Sequence, residues 1–256
     1  MKLLAILIIC FFVNSIPINA HELWLEAENY KIKNGELAIH IKVGQDLMGE
    51  SYPFINEETE KLILQSKNAN QFLKQDDGNY PAIQHKVDQT GIQYLYYQSH
   101  TEYLQYSDLK TFLDFTKEYS LNFNENQTDI PTETYQRFAK IILQNKDDNF
   151  FISKPNLEFE IINQNNPFDH NNIKIQILLD NEPFIERKFI VFQREGGNFK
   201  RAQYQTDKNG FANIDTSEKG LYLISAVILQ KNNFMDKLKY KTDYFSKWAS
   251  LTFRKD

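Results

Sequence analysis

The chain has 256 residues, 29 Lys and Arg against 34 Asp and Glu, and a formal charge of −5. Its 41% hydrophobic and 14% aromatic content supplies a core and argues against wholesale disorder. Only five arginines occur, none adjacent to another, and the chain is acidic, which argues against a nucleic-acid surface.

The first twenty residues read as a secretory signal peptide. Lys2 is a minimal positive region, Leu3 to Val13 is an unbroken apolar run, and Ala20 is a small residue at the expected cleavage position. Eleven apolar residues are too few to span ~30 Å of hydrocarbon. Cys10 lies inside that run and reads as filler, because bulky Ile9 stands where a lipid-acceptor site wants a small residue. Cleavage after Ala20 would leave 236 residues beginning at His21, with no cysteine and therefore no disulfide. The expectation is a periplasmic protein of a Gram-negative bacterium, with no transmembrane segment in the mature chain.

Strand patterns dominate the mature chain. Leu37 to Val43 alternates apolar and mixed residues with period two and is closed by Gly44. Residues 61–65, 92–97, 157–162, 173–179, 188–193, 221–229 and 248–253 are further strands, rich in β-branched and aromatic side chains. Two helices are predicted between them. Ser107 caps the first, over residues 108–119, with Leu109, Phe112, Leu113 and Thr116 on one face. The second covers residues 131–144, with Pro131 in its first turn and Tyr135, Phe138, Ala139 and Ile142 at helical spacing. Asp207 to Gly210 is read as a hairpin turn. The fold expected is mainly β. An N-terminal β domain with two inserted helices, residues 21–150, precedes an immunoglobulin-like β-sandwich over residues 151–256.

Enzyme signatures are missing: there is no G-x-S-x-G, no H-E-x-x-H, no phosphate loop and no cysteine after processing. The expectation is a non-enzymatic protein. The most distinctive candidate is His21, which as the mature amino terminus would offer an α-amino nitrogen and an imidazole nitrogen to one metal ion. Such donors suit nickel, cobalt, copper or zinc rather than calcium or magnesium. His40, on the mixed face of its strand, His85 and His100 are candidate further ligands, and His170 sits in a polar turn. No H-x-H or H-x-x-x-H pair joins them, and Glu22, Glu26 and Glu50 are nearby carboxylates.

The segment His21-Glu22-Leu23-Trp24-Leu25-Glu26 resembles the start of a family of bacterial exported proteins of unknown function. Members of that family are described as periplasmic components of nickel or cobalt uptake systems, the NikK-like group. The resemblance continues through Val43-Gly44-Gln45 with Gly49-Glu50, Tyr96-Tyr97-Gln98-Ser99 and the region 112–121. Residues 133–140, Leu157 to Ile161, Thr206 to Phe211 and Trp248 to Phe253 complete it. Some relatives carry Gly-His where this chain has Gly44-Gln45, so one attractive ligand is missing here. What the resemblance implies is a periplasmic β-rich protein linked to transition-metal uptake. With His21, the expectation is a carrier of a divalent metal, nickel or cobalt, that serves a membrane metal transporter and holds the ion through His21. The rival reading is a carbohydrate- or protein-interaction module whose surface would be lined by Tyr94, Tyr96, Tyr97, Tyr103 and Tyr106.

Overall fold

In a computed structural model, residues 22–123, 126–146 and 150–256 are described, and they are mainly β. The predicted signal peptide and His21 lie outside the described residues. The strands before residue 100 are β1 (Glu22–Ala27), β2 (Glu36–Gln45), β3 (Met48–Tyr52), β4 (Thr59–Ser66), β5 (Ala69–Phe72), β6 (Ile83–Lys86) and β7 (Gly91–Ser99). Next along the chain are β8 (Glu102–Gln105), helix α1 (Leu109–Glu118) and the long strand β9 (Thr132–Asn145). After residue 150 come β10 (Phe159–Asn163), β11 (Asn172–Leu179), β12 (Glu182–Pro183), β13 (Lys188–Glu195) and β14 (Asn198–Gln205). The chain ends with β15 (Phe211–Asp215), β16 (Gly220–Lys231), helix α2 (Phe234–Tyr240) and β17 (Tyr244–Lys255). Among the described residues no helix is long and apolar enough to cross a membrane.

These strands make three layers. The middle layer is a nine-stranded sheet in the order β14-β13-β16-β17-β9-β7-β4-β5, with β8 also paired to β9. Because successive side chains of a strand point to opposite faces, each central strand feeds two cores. Ala139, Ile141 and Leu143 of β9, with Leu223 of β16, pack toward the outer sheet of β1, β2, β3 and β6, where Trp24, Leu25 and Ile39 meet them. Phe138 and Ile142 of β9, with Ile224 and Leu251, pack toward the second outer sheet of β10, β11, β12 and β15. That second sheet and the β13-β16-β17 part of the middle layer face each other as a β-sandwich. The middle sheet continues past it, since β9 runs parallel to β17, so strands from both sides of residue 150 share one sheet.

The predicted strands are all present, with ends shifted by a few residues. The predicted helix at 131–144 is instead β9. Tyr135, Phe138, Ala139 and Ile142 do sit at helical spacing, but twelve of the fourteen residues of β9 are buried, and a strand covered on both faces carries no polar alternation. Glu133, Gln136, Arg137 and Lys140 on the same strand are buried as well. The second helix lies instead between β16 and β17. The first predicted helix is α1, capped by Asp108 rather than Ser107: Asp108 Oδ1 accepts the Thr111 amide at 2.8 Å, and Ser107 Oγ donates to Asp108 at 3.0 Å. Asp207 to Gly210 is a turn but not a hairpin, because β14 pairs with β13 in the middle sheet and β15 with β11 in the outer one. Gly210, at φ +75°, takes the chain across that corner.

Candidate functional site

The start of β1 adjoins His21, the strongest candidate in the sequence, and its Glu22 carboxyl feels the charges of Asp46 and Glu118. Glu22 pairs with Gly44 across the β1–β2 ladder. Two residues beyond Gly44, the β2–β3 hairpin turns through Asp46 and Leu47, both at φ +56°. Left-handed backbone costs an L-residue ~1–2 kcal/mol, so this turn is held by its surroundings. Leu47 is fully buried, and its carbonyl accepts a hydrogen bond from the Arg194 guanidinium. The Gly44 and Gly49 backbones face each other across the hairpin. A Cβ on Gly49 would lie 2.7 Å from Trp24 Cη2, which is why the hairpin and β1 can close on each other only with glycine there.

The third contributor is the last turn of α1. Glu118 Oε1 accepts from Arg201 Nη2 at 2.6 Å, and the Tyr119 hydroxyl donates to Glu22 Oε1 at 2.7 Å while lying 3.3 Å from Ser225 Oγ. Burial pushes the Glu22 carboxyl up to about 7. The Tyr119 hydroxyl pulls it down, and the charges of Glu118 and Asp46 add to the rise. Glu118 is raised by burial and by Asp46, against the lowering effect of Arg201. Asp46 Oδ1 is buried with no hydrogen-bond partner among the described residues. An acceptor oxygen left without a donor fits a cation better than it fits a hydrogen-bonded core.

The other candidate histidines are dispersed. His40 lies opposite Glu26 in the β1–β2 ladder, with Nε2 3.4 Å from Glu28 Oε1 and its ring edge-on to Tyr80 at 5.3 Å. It lines a cleft of about 600 Å³ with Lys33, Lys42, Arg194, Arg254 and Asp256. His85 stands opposite Leu37 on β6, so the pleat sends it to the other face of that sheet from His40. Burial lowers its pKa. His100 is exposed just past β7, and its amide donates to the Glu58 carbonyl at 2.8 Å. His170 is exposed in a loop, where its carbonyl accepts from Lys255 at 2.5 Å. Glu26 is ion-paired to Arg194 at 3.0 Å, and Glu50 is exposed. Among the described residues no three His, Cys, Asp or Glu side chains are grouped to hold a metal ion by themselves.

The tyrosines offer no platform. Tyr94, Tyr96, Tyr97 and Tyr106 are core residues, and only Tyr103 of the five is exposed. Asp46, Glu118 and Tyr119 are not legible as neighbours of Glu22 in the sequence, because one sits in a turn and two at a helix end, far along the chain. The one local signal is the pair Gly44 and Gly49 flanking a four-residue stretch that holds the turn.

A three-layer β protein with a strained hairpin and a helix end closing over the start of its first strand is what these elements define. The chain belongs to the family described as Domain of unknown function (DUF4198), whose profile matches residues 18–230. No curated protein matches it.

Proposed function

We propose that this protein is an exported carrier that binds one divalent transition metal ion, nickel or cobalt, and delivers it to a membrane uptake system. His21, exposed by cleavage after Ala20, would supply the amine and imidazole nitrogens. The observation that supports the reading is Glu22, the residue bonded to His21: its carboxyl is buried and raised to about 7, and the charges of Glu118 and Asp46 act on it. Mixed nitrogen and carboxylate donors suit first-row divalent ions, with copper and zinc as competitors. His40, His85 and His100 are not needed for this site.

Because ligands must be deprotonated, an ion entering here displaces the proton that Glu22 holds near neutral pH. Affinity should therefore rise as pH passes through 7, with proton release on binding. The test is a titration of the chain purified from the producing cell, with mass spectrometry to confirm His21 as residue one, against nickel, cobalt, copper and zinc. Micromolar or tighter binding that is lost in His21→Ala and weakened about tenfold in Asp46→Asn is expected. A correctly processed chain that binds none of the four ions sinks the proposal.

A further inference from the structure

The connection between β16 and β17 places three exposed apolar side chains on one short helix. It contains α2, none of whose residues is buried. Phe234, Met235 and Leu238 are 75%, 69% and 60% exposed. Successive helical residues advance about 100°, so these three fall within an arc of about 100°. Lys237 and Lys239 flank that arc, whereas Asp236 and Tyr240 lie on the opposite side, where Tyr240 stacks on Phe245 of β17 at 5.6 Å. Residues 231–243 hold four lysines against two aspartates in a chain whose overall charge is −5.

Hydrogen bonds anchor this helix at both ends. Asn233 caps it, its Oδ1 accepting the Met235 and Asp236 amides at 2.8 and 3.0 Å. Asn232 donates to the Thr242 carbonyl at 3.0 Å, Thr242 and Thr134 hydroxyls meet at 2.8 Å, and Lys237 pairs with Asp243 at 3.0 Å. The helix itself is therefore tied to the sheet at both ends, which lowers the backbone ordering cost of binding.

We propose that α2 is a membrane-surface contact: its Phe, Met and Leu side chains enter the interfacial region of a bilayer, and its lysines sit against anionic headgroups. The sign of the local charge is that of a surface seeking an anionic partner, and it opposes the charge of the chain as a whole. The apolar area argues against a protein partner. Three such side chains offer on the order of 400 Å², half of the ~800 Å² a stable interface takes from each partner. Insertion into lipid has no such minimum, and a lysine-flanked apolar arc is the pattern of an interfacial helix. The contact would be weak and reversible, and would hold the protein beside a membrane without spanning it. It stands independently of metal binding.

The test is co-sedimentation of the chain, purified from the producing cell, with phosphatidylcholine vesicles that contain or lack ~30% phosphatidylglycerol. Partition onto the anionic vesicles should exceed that onto the neutral ones at least tenfold and fall with added salt. It should fall at least tenfold in the Phe234→Ser, Met235→Ser, Leu238→Ser variant and in the Lys237→Glu, Lys239→Glu variant, all sharing one N-terminus. Circular dichroism serves as the fold control, and a Leu238→Trp variant should shift its emission to the blue on binding. Absence of binding by the unaltered chain, or equal binding by the triple-serine variant, overturns the proposal. So does self-association that the serine variant abolishes, because α2 would then be a protein contact.

Discussion

Glu133 and Lys140 stand on the same strand and face opposite cores, and the two faces treat a buried ionisable group in opposite ways. On the second core, Lys140 is fully countered. Its ammonium donates to Ser153 Oγ at 2.6 Å, to Glu160 Oε1 at 2.9 Å and to the Ile161 carbonyl at 3.2 Å, between the rings of Tyr94 and Tyr96. Glu160 Oε2 in turn accepts the Asn156 and Leu157 amides at 2.7 and 3.1 Å. On the first core, Glu133 receives hydroxyls: Tyr106 donates at 2.5 Å and Ser246 donates to its other oxygen, with Trp248 Nε1 2.9 Å from that serine. Burial pushes Glu133 up to about 7, as it does Glu22 on the same side. The difference teaches where chemistry can occur. A closed ion pair holds loops in place, whereas a buried carboxyl hydrogen-bonded to hydroxyls rather than to a cation changes its protonation within the physiological range.

The largest test breaks the ion pair. Lys140→Met leaves Glu160 buried beside only its two amides, so stability should fall by about 3–5 kcal/mol in chemical denaturation. Metal binding should survive in whatever fraction stays folded.

Next comes pH. The carboxyls of Glu22 and Glu133 titrate near 7 in the folded chain, against about 4.3 for an unfolded glutamate. The folded state therefore holds these protons more tightly. Their stabilising contribution is complete below about pH 4.3 and is lost as pH rises through 7, on the order of 3 kcal/mol each. Denaturation midpoints should fall between pH 5 and pH 8, and Glu133→Gln should remove about half of that slope. A slope unchanged by Glu133→Gln would show that the hydroxyl-held carboxyl is ionised throughout.

Gly49→Ala places a methyl group against Trp24 and the Val43 carbonyl, and overpacking of this kind costs about 1–3 kcal/mol. Because it pries the hairpin from β1, it should also weaken any metal binding that involves Asp46. The smallest effect belongs to Tyr119→Phe. Loss of its hydrogen bond to Glu22 should cost about 1 kcal/mol and raise the proton affinity of Glu22 further, moving the pH transition upward.

Much of the fold was legible along the chain, because alternation in β2 and the β-branched runs of β11, β13 and β16 are local properties of a strand with one or two buried faces. Helix α1 was equally legible from its apolar spacing, although its cap was one residue off. β9 was not. Its pattern was helical, and only the sheets on either side of it, with hydroxyls for Glu133 and a glutamate for Lys140, make a strand of those residues. The same limit governs the candidate site. Glu22 and the prospect of a terminal histidine are written in consecutive residues. The meeting of Glu22 with Asp46 and Glu118 was decided by the tertiary structure, because a hairpin 24 residues along and a helix end 96 residues along come to one strand only when the layers close over a shared core.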